Sequence, residues 1–206
     1  MITSEKDYLM YLEADRISLG KTKKKPSLFG DEIWKFQRLL RKVEYYHNCK
    51  NYFPWNIYLS YLEAIFHYYS IFLGFSIRIN IFGPGLSIAH FGTIIVNPHA
   101  RIGENCRLHT DVYIASHSGN FYKAPQIGNN VYIGPGVKIF GDIVIADDIA
   151  IGANAVVNKS FSEPAITIGG IPAKKISDNG SSELIINATA MLKNAGNSVH
   201  TSDSSQ

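Results

Sequence analysis

Along this chain the hydrophobic positions recur with a period of six. From Ile127 the sequence divides into IGNNVY, IGPGVK, IFGDIV, IADDIA, IGANAV and VNKSFS, and every block opens with Ile or Val. The fifth position runs Val, Val, Ile, Ile, Ala, Phe, and the second is mostly Gly or Ala. The same phase runs upstream through LHTDVY from Leu108, IGENCR from Ile102 and VNPHAR from Val96. No helix has a period of six. A solenoid of short strands does, when each block is one flat side and three blocks close a triangular turn. The first residue of each block then points inward and stacks on its equivalents in neighbouring turns. Asn, Asp and Gly take the corners, where a positive φ costs them least. Handedness does not follow from the repeat.

The phase breaks once. Ile114 opens a block, but the repeat resumes only at Ile127, so SHSGNFYKAPQ (116–126) is expected to leave the prism as a loop. Loops that interrupt a rigid scaffold often carry function. Six residues before Val96 lies His90, in a slot where the repeat calls for an aliphatic side chain.

The first third of the chain reads as helical. Residues 4–19 have Ser4 as an N-cap. Residues 31–47 start at Asp31 and place Ile33, Phe36, Leu39, Leu40 and Val43 on one face. The stretch 56–77 is apolar and rich in tyrosine, but carries Glu63 and His67 in its middle. That composition favours a helix buried against the protein or a partner subunit; a peripheral membrane contact is the other reading. Lys21 to Lys25 (KTKKK) is a solvated basic linker. The expected division is a helical segment over 1–75, the prism over 76–176 and a polar tail over 177–206. The tail is expected to hold a short helix near 183–193 and to be otherwise disordered.

Composition narrows the picture further. With 206 residues and 46% hydrophobic content, the chain can build a core. A net charge of +3 is too weak for a nucleic-acid binder. Cys49 and Cys106 lie far apart, outside any CxxC, which argues against a zinc or disulfide scaffold. The opening MITSEKDYLM is too polar for a signal peptide, so a cytoplasmic location is expected, with membrane association at the inner face as an addition.

The run IGNNVYIGPGVKIFGDIVIADDIAIGANAVVNKSF, closing on IGGIPAKKI (168–176), resembles the hexapeptide-repeat acyltransferases. That resemblance implies a mainly β fold, a left-handed parallel β-helix behind the helical segment. LSIAHFGTIIVNPHARIGENCRLHTDVYIAS (86–116) is similar to the serine acetyltransferase branch, in which the matching histidine, here His90, is the catalytic base. Two departures stand out. Ala89 replaces the aspartate that usually precedes this histidine, and Lys123-Ala124-Pro125 replaces an Arg-His-Pro element that binds the amino acid. The chain therefore looks more like the short relatives that O-acetylate sugars in capsule or exopolysaccharide synthesis. Serine O-acetylation is the alternative, and a non-catalytic β-helix scaffold the alternative outside enzymology.

The chemistry so implied is direct acetyl transfer from acetyl-CoA to an acceptor hydroxyl, with His90 as general base. His117, in YIASH (113–117), is the second candidate base, by similarity to the maltose and galactoside acetyltransferases. His99 and His109 fall at non-apolar positions of their blocks and read as surface histidines. Asp111 is a candidate to orient a histidine, and Asp111 and Lys123 are candidate acceptor contacts. For CoA the resemblance points to Ser116 and Gly134, to Gly152 and Ala153 beside the pantetheine arm, and to Lys159, Lys174 and Lys175 at the phosphates. It also implies a homotrimer with the site shared between subunits. No metal is expected. The gamma-type carbonic anhydrases bind zinc on the same prism through histidines five residues apart, and no pair here has that spacing.

Overall fold

The computed structural model describes residues 1–202, with side chains through residue 195. Three helices come first: α1 (Glu5–Ser18), α2 (Glu32–Cys49) and α3 (Trp55–Leu73). Ser4 caps α1 by accepting from the Asp7 N–H. Gly74 ends α3 in a left-handed conformation, four residues earlier than the apolar run suggested, because the chain turns there into the first strand. The early strands are β1 (Phe75–Ser76), β2 (Ser87–Ile88), β3 (Ile94–Val96), β4 (Arg101–Ile102), β5 (Arg107–Leu108) and β6 (Val112–Ala115). After the loop come β7 (Gln126–Ile127), β8 (Tyr132–Ile133), β9 (Lys138–Phe140), β10 (Val144–Ile145), β11 (Ala150–Ile151), β12 (Val156–Val157), β13 (Thr167–Gly169) and β14 (Lys174–Ser177). A last helix, α4 (Ala188–Ser202), packs on α1.

Strands are dealt in turn to three sheets: β1-β3-β6-β9-β12, then β4-β7-β10, then β2-β5-β8-β11-β13, with β14 added antiparallel at the end of the third. All other pairings are parallel. This is the three-sided prism that the six-residue period predicts. Ile127, Ile133, Ile139, Ile145, Ile151 and Val157 are all buried, as are the fifth-position residues Val131, Val137, Ile143, Ile149 and Ala155. Cys106 and Ala100 fill fifth positions upstream and are equally buried. One corner file is Asn105, Asn130 and Asp148, each at positive φ. Their side chains bond in a ladder, Asn105 to Asn130 at 2.8 Å and Asn130 to Asp148 at 2.9 Å. In this file Gly85 has no alternative: a Cβ there would lie 2.4 Å from Asn105 Oδ1.

The open first turn is closed by the helices through polar groups. Gln37 of α2 donates to the Leu86 carbonyl at 2.6 Å and accepts from the Ile88 N–H at 3.1 Å, as a neighbouring strand would. Arg41 reaches the carbonyls of Phe82 and Gly83, and pairs with Asp15 at 2.8 Å and Glu44 at 3.0 Å. Asp15 in turn accepts from the N–H groups of Gly85 and Leu86, both at 2.9 Å. All four side chains are buried. The buried face of α2 is thus partly polar, whereas the apolar pattern had put Leu39 there, which is only half-buried.

Asp31 precedes α2 as expected, but its carboxylate makes no cap hydrogen bond within the helix. It takes Lys21 at 2.6 Å and the Ser27 N–H at 2.8 Å instead, which ties down the basic linker. Lys21 first, and Ser27 after it, hold this carboxyl well below its ordinary value of 3.8, at about 2. Its contribution is therefore complete above the ordinary value and is lost as pH falls from 3.8 toward 2. Lys21 also lies over the Trp34 ring at 5.9 Å. In a Trp55→Phe background, Trp34 fluorescence should change across that acid window, and Asp31→Asn should abolish the change; an unaltered transition in the variant would refute the assignment.

The tail is more ordered than expected through residue 202. Thr189 at the start of α4 bonds Asn105, and Ser181 donates to the Asn130 carbonyl. The remainder of the expected disorder, residues 203–206, lies outside the described residues. Among the described residues no helix is long and apolar enough to cross a membrane.

Candidate active site

His90 is not in an inward slot. Ile88 pairs with Leu108 and Ile94 with Val112, so the corner between β2 and β3 spans residues 89–93, where the next turn uses only 109–111. Two extra residues break the phase a second time, before Val96. The corner swells outward and His90 is exposed on it. Ile88 takes the inward position instead. The swollen corner is still fixed. Ala89 donates to the Leu108 carbonyl and Gly92 to the Leu73 carbonyl, both at 2.9 Å. Gly92 has φ +128°, and a Cβ there would sit 2.4 Å from Thr110 Oγ1.

A cleft of about 330 Å³ opens beside His90, between this corner and the α1–α2 connection. Trp34, Asp31, Glu32, Phe91 and Arg107 line it with His90. Arg107 donates to Ser87 Oγ at 2.9 Å, and the buried Trp34 Nε1 has no hydrogen-bond partner. None of the helical residues at this cleft was legible as a site residue. They lie more than fifty positions before His90, and only the docking of the helices brings them there.

His109 is not a surface histidine. Its ring lies 5.9 Å from that of His90 and 5.3 Å from that of Tyr132, and its Nε2 is buried without a partner. Burial first, then the Arg107 and His90 charges, hold its pKa below the usual histidine value. A neutral imidazole therefore stands beside His90. His99 is likewise engaged. It packs against Phe121 at 5.2 Å and Tyr122 at 4.7 Å and so props the 116–126 loop, helped by Asn97, which bonds the Phe121 carbonyl.

His117 lies elsewhere. It follows β6, whereas His90 precedes β3, and these strands run parallel side by side. The two histidines stand off opposite ends of one face, separated by at least a strand length, on the order of 10 Å. Its Nδ1 contacts the Ser118 carbonyl at 2.7 Å, and its loop keeps Ser116 at the same edge. Lys123 in that loop pairs with Asp142 at 3.2 Å. Among the described residues the Asp111 carboxylate is paired with Lys138, at 3.0 Å, and with no histidine. Neither cysteine offers a thiolate, because burial pushes the Cys106 thiol far up and raises Cys49 as well.

The register places Ala89, His109, Gly134, Gly152 and Gly169 in one file down the corner that carries His90. Gly134 is demanded by the stacking of turns, since a Cβ there would lie 2.9 Å from backbone atoms of Ile151 and Ala153. Gly152 is not: its Cβ would meet Ile168 O at an ordinary 3.5 Å. Ala153 beside it is exposed. Lys174 stands exposed on β14, opposite Gly169. Lys175 is committed to Glu163 at 2.5 Å and Asp178 at 2.6 Å. Lys159 follows β12 at another corner, its ammonium 5.4 Å from the Phe161 ring. Among the described residues no group of three His, Cys, Asp or Glu is placed to hold a metal ion.

No family model matches the chain. A serine acetyltransferase of Helicobacter pylori is 33% identical over 89 residues, which are 42% of this chain and 52% of the relative. One from Synechococcus elongatus is 30% identical over 99 residues, 48% of this chain and 40% of the relative. The chain thus spans about half the length of the curated relatives it matches. Among solved structures, Brucella abortus serine acetyltransferase in complex with coenzyme A superposes with a TM-score of 0.64 at 22% identity, over 85% of this chain and 68% of the other. The prism and the helices that close it therefore make the fold of the serine acetyltransferases, and about half of the chain is similar to them in sequence as well.

Proposed function

We propose that the chain is an acetyl-CoA-dependent O-acetyltransferase that uses His90 as its base. The observation that carries this reading is the placement of His90: exposed on an extended corner, beside a neutral His109, at a polar cleft. His90 takes the proton from an acceptor hydroxyl in the cleft. The oxygen attacks the thioester carbonyl and forms a tetrahedral oxyanion. Collapse breaks the C–S bond, and the departing CoA sulfur recovers the proton from the imidazolium. The file below His90 suits the pantetheine arm. Gly152 lies three turns down, about 15 Å at the usual strand spacing. The free space at Gly152 is what an arm passing close to the backbone needs, and Lys174 is the phosphate contact of choice.

The left-handed coil and the homotrimer are parts of the same proposal. Ser116, His117 and Lys123 stand off the far end of the face from His90, so they meet an acceptor or CoA at His90 only across a subunit boundary. Serine is the acceptor favoured by the names of the relatives. A sugar hydroxyl, as in capsule or exopolysaccharide synthesis, is the second reading. It is supported by Ala89, by Lys123-Ala124-Pro125, and by a cleft of about 330 Å³, far larger than serine needs. Free thiol release from acetyl-CoA, measured with L-serine and with a panel of sugars and oligosaccharides, separates the two. Turnover is expected with one class and not the other. Coenzyme A that neither turns over nor binds would end the acetyltransferase reading.

A further inference from the structure

The cleft at His90 holds a cation that the chain does not neutralise. Leu108 is buried inside the prism, so Arg107, the residue before it on β5, points outward into the cleft. Its guanidinium donates to Ser87 Oγ at 2.9 Å and, among the described residues, pairs with no carboxylate. Two carboxylates line the cleft from the α1–α2 side, but both are engaged. Asp31 takes Lys21 at 2.6 Å and the Ser27 N–H at 2.8 Å. Glu32 takes Lys35 at 3.3 Å and the Gly30 N–H at 3.2 Å. After burial, the Arg107 charge is the next cause that holds His109 neutral, so its field reaches the ring that stands beside His90. Phe91 adds an apolar surface. It follows His90 on the swollen corner, lines the same cleft and is 71% exposed.

We infer that the acceptor is an acidic sugar, a pyranose that carries a carboxylate. The carboxylate sits on Arg107, the ring lies on Phe91 and the reacting hydroxyl meets His90. The inference rests on the sugar reading of the proposed function and names the class of sugar. An arginine whose donor fork is left open matches a carboxylate with two parallel hydrogen bonds. Arg107 faces Asp31 and Glu32 across the cleft, which favours a ligand with a single negative charge over a phosphomonoester with about two. An exposed aromatic ring beside the base offers a flat apolar face to the C–H side of a pyranose, and free serine has no surface to lay on it. The cleft of about 330 Å³ stands at the small end of ligand sites, ~300–1,000 Å³, which suits one sugar ring.

The test compares acetylation of methyl glycosides that differ only at C6: glucoside with glucuronide, and galactoside with galacturonide. The wild type should prefer the acid by about 10- to 100-fold in kcat/KM, the usual strength of charge-assisted hydrogen bonds. Arg107→Gln should bring that ratio to within about threefold of unity, with the loss in KM for the acid. Arg107→Lys keeps the charge without the fork and should retain part of the preference. Phe91→Ala should raise KM for both members of a pair. Binding is read apart from turnover, by Trp34 fluorescence in a Trp55→Phe background without CoA. The uronides should alter it at lower concentration than the glycosides, and Arg107→Gln should remove the difference. If no sugar is acetylated but that difference persists, the acidic-sugar site stands and the transfer reading falls. Equal wild-type ratios for acid and neutral partners, turnover of L-serine alone, or a stronger preference for methyl glucoside 6-phosphate would overturn the inference.

Discussion

His90→Ala should lower kcat/KM for acetyl transfer roughly 100- to 10,000-fold, the usual range for loss of a general base. The loss should fall on kcat, because the side chain acts on the acceptor proton and not on the CoA file. Binding of CoA, followed by calorimetry, should stay within about threefold. The fold should not suffer, since His90 is exposed and its corner is held by backbone bonds from Ala89 and Gly92. His117→Ala serves as the contrast. A wild-type rate in His90→Ala together with a dead His117→Ala would transfer the base to His117. That outcome would make the neighbouring subunit's loop, rather than the swollen corner, the centre of the chemistry.

Arg41→Met should be the most destabilising single change at the helix–prism junction. Arg41 is fully buried, and Asp15 and Glu44 around it are nearly so. The two carboxylates hold the guanidinium firmly charged, while burial pushes the Asp15 carboxyl up against the pull of Arg41. Methionine fills much of the volume but strands two carboxylates and two carbonyls. Breaking a buried pair in this way costs about 3–5 kcal/mol. At this chain length that is a thermal midpoint lower by about 10 °C, compared at equal protein concentration. Adding Glu44→Gln should recover part of the loss, because it removes one stranded charge and keeps an acceptor for the Asn80 N–H. A midpoint within 2 °C of wild type, about the effect of 1 kcal/mol or less, would show that the network is not what closes the prism.

Most of the fold was legible because its period comes from residue chemistry alone. Branched aliphatics at Ile127, Ile133, Ile139, Ile145, Ile151 and Val157 require an inward stack, and Asn, Asp and Gly between them require corners. The site was legible only in part. His90, Gly134, Gly152 and Ala153 were singled out as candidates, His90 for an incomplete reason. The period placed His90 in an inward slot, yet Ile88 and Leu108 are twenty positions apart where three blocks of six give eighteen. That spacing was the available signal, and it is visible only once the pairing partner of Ile88 is known. Asp111 was a candidate to orient a histidine, and in the structure its carboxylate pairs with Lys138, 27 positions away.

By itself the sequence determined a three-sided parallel prism behind three helices, the loop at 116–126 and a histidine of interest at position 90. These follow from short-range rules, in which each block specifies its own side and corner. Only the tertiary structure decided that His90 faces outward, that His109 stands beside it, and that His117 stands off the other end of the face. It also decided that Asp15, Gln37 and Arg41 are buried. Apart from Glu44, their partners lie 26 to 71 positions away, and no local pattern marks a polar helical residue as the substitute for a missing strand. For these three the physical reason is that a buried polar group is stable where groups distant in sequence supply its hydrogen bonds.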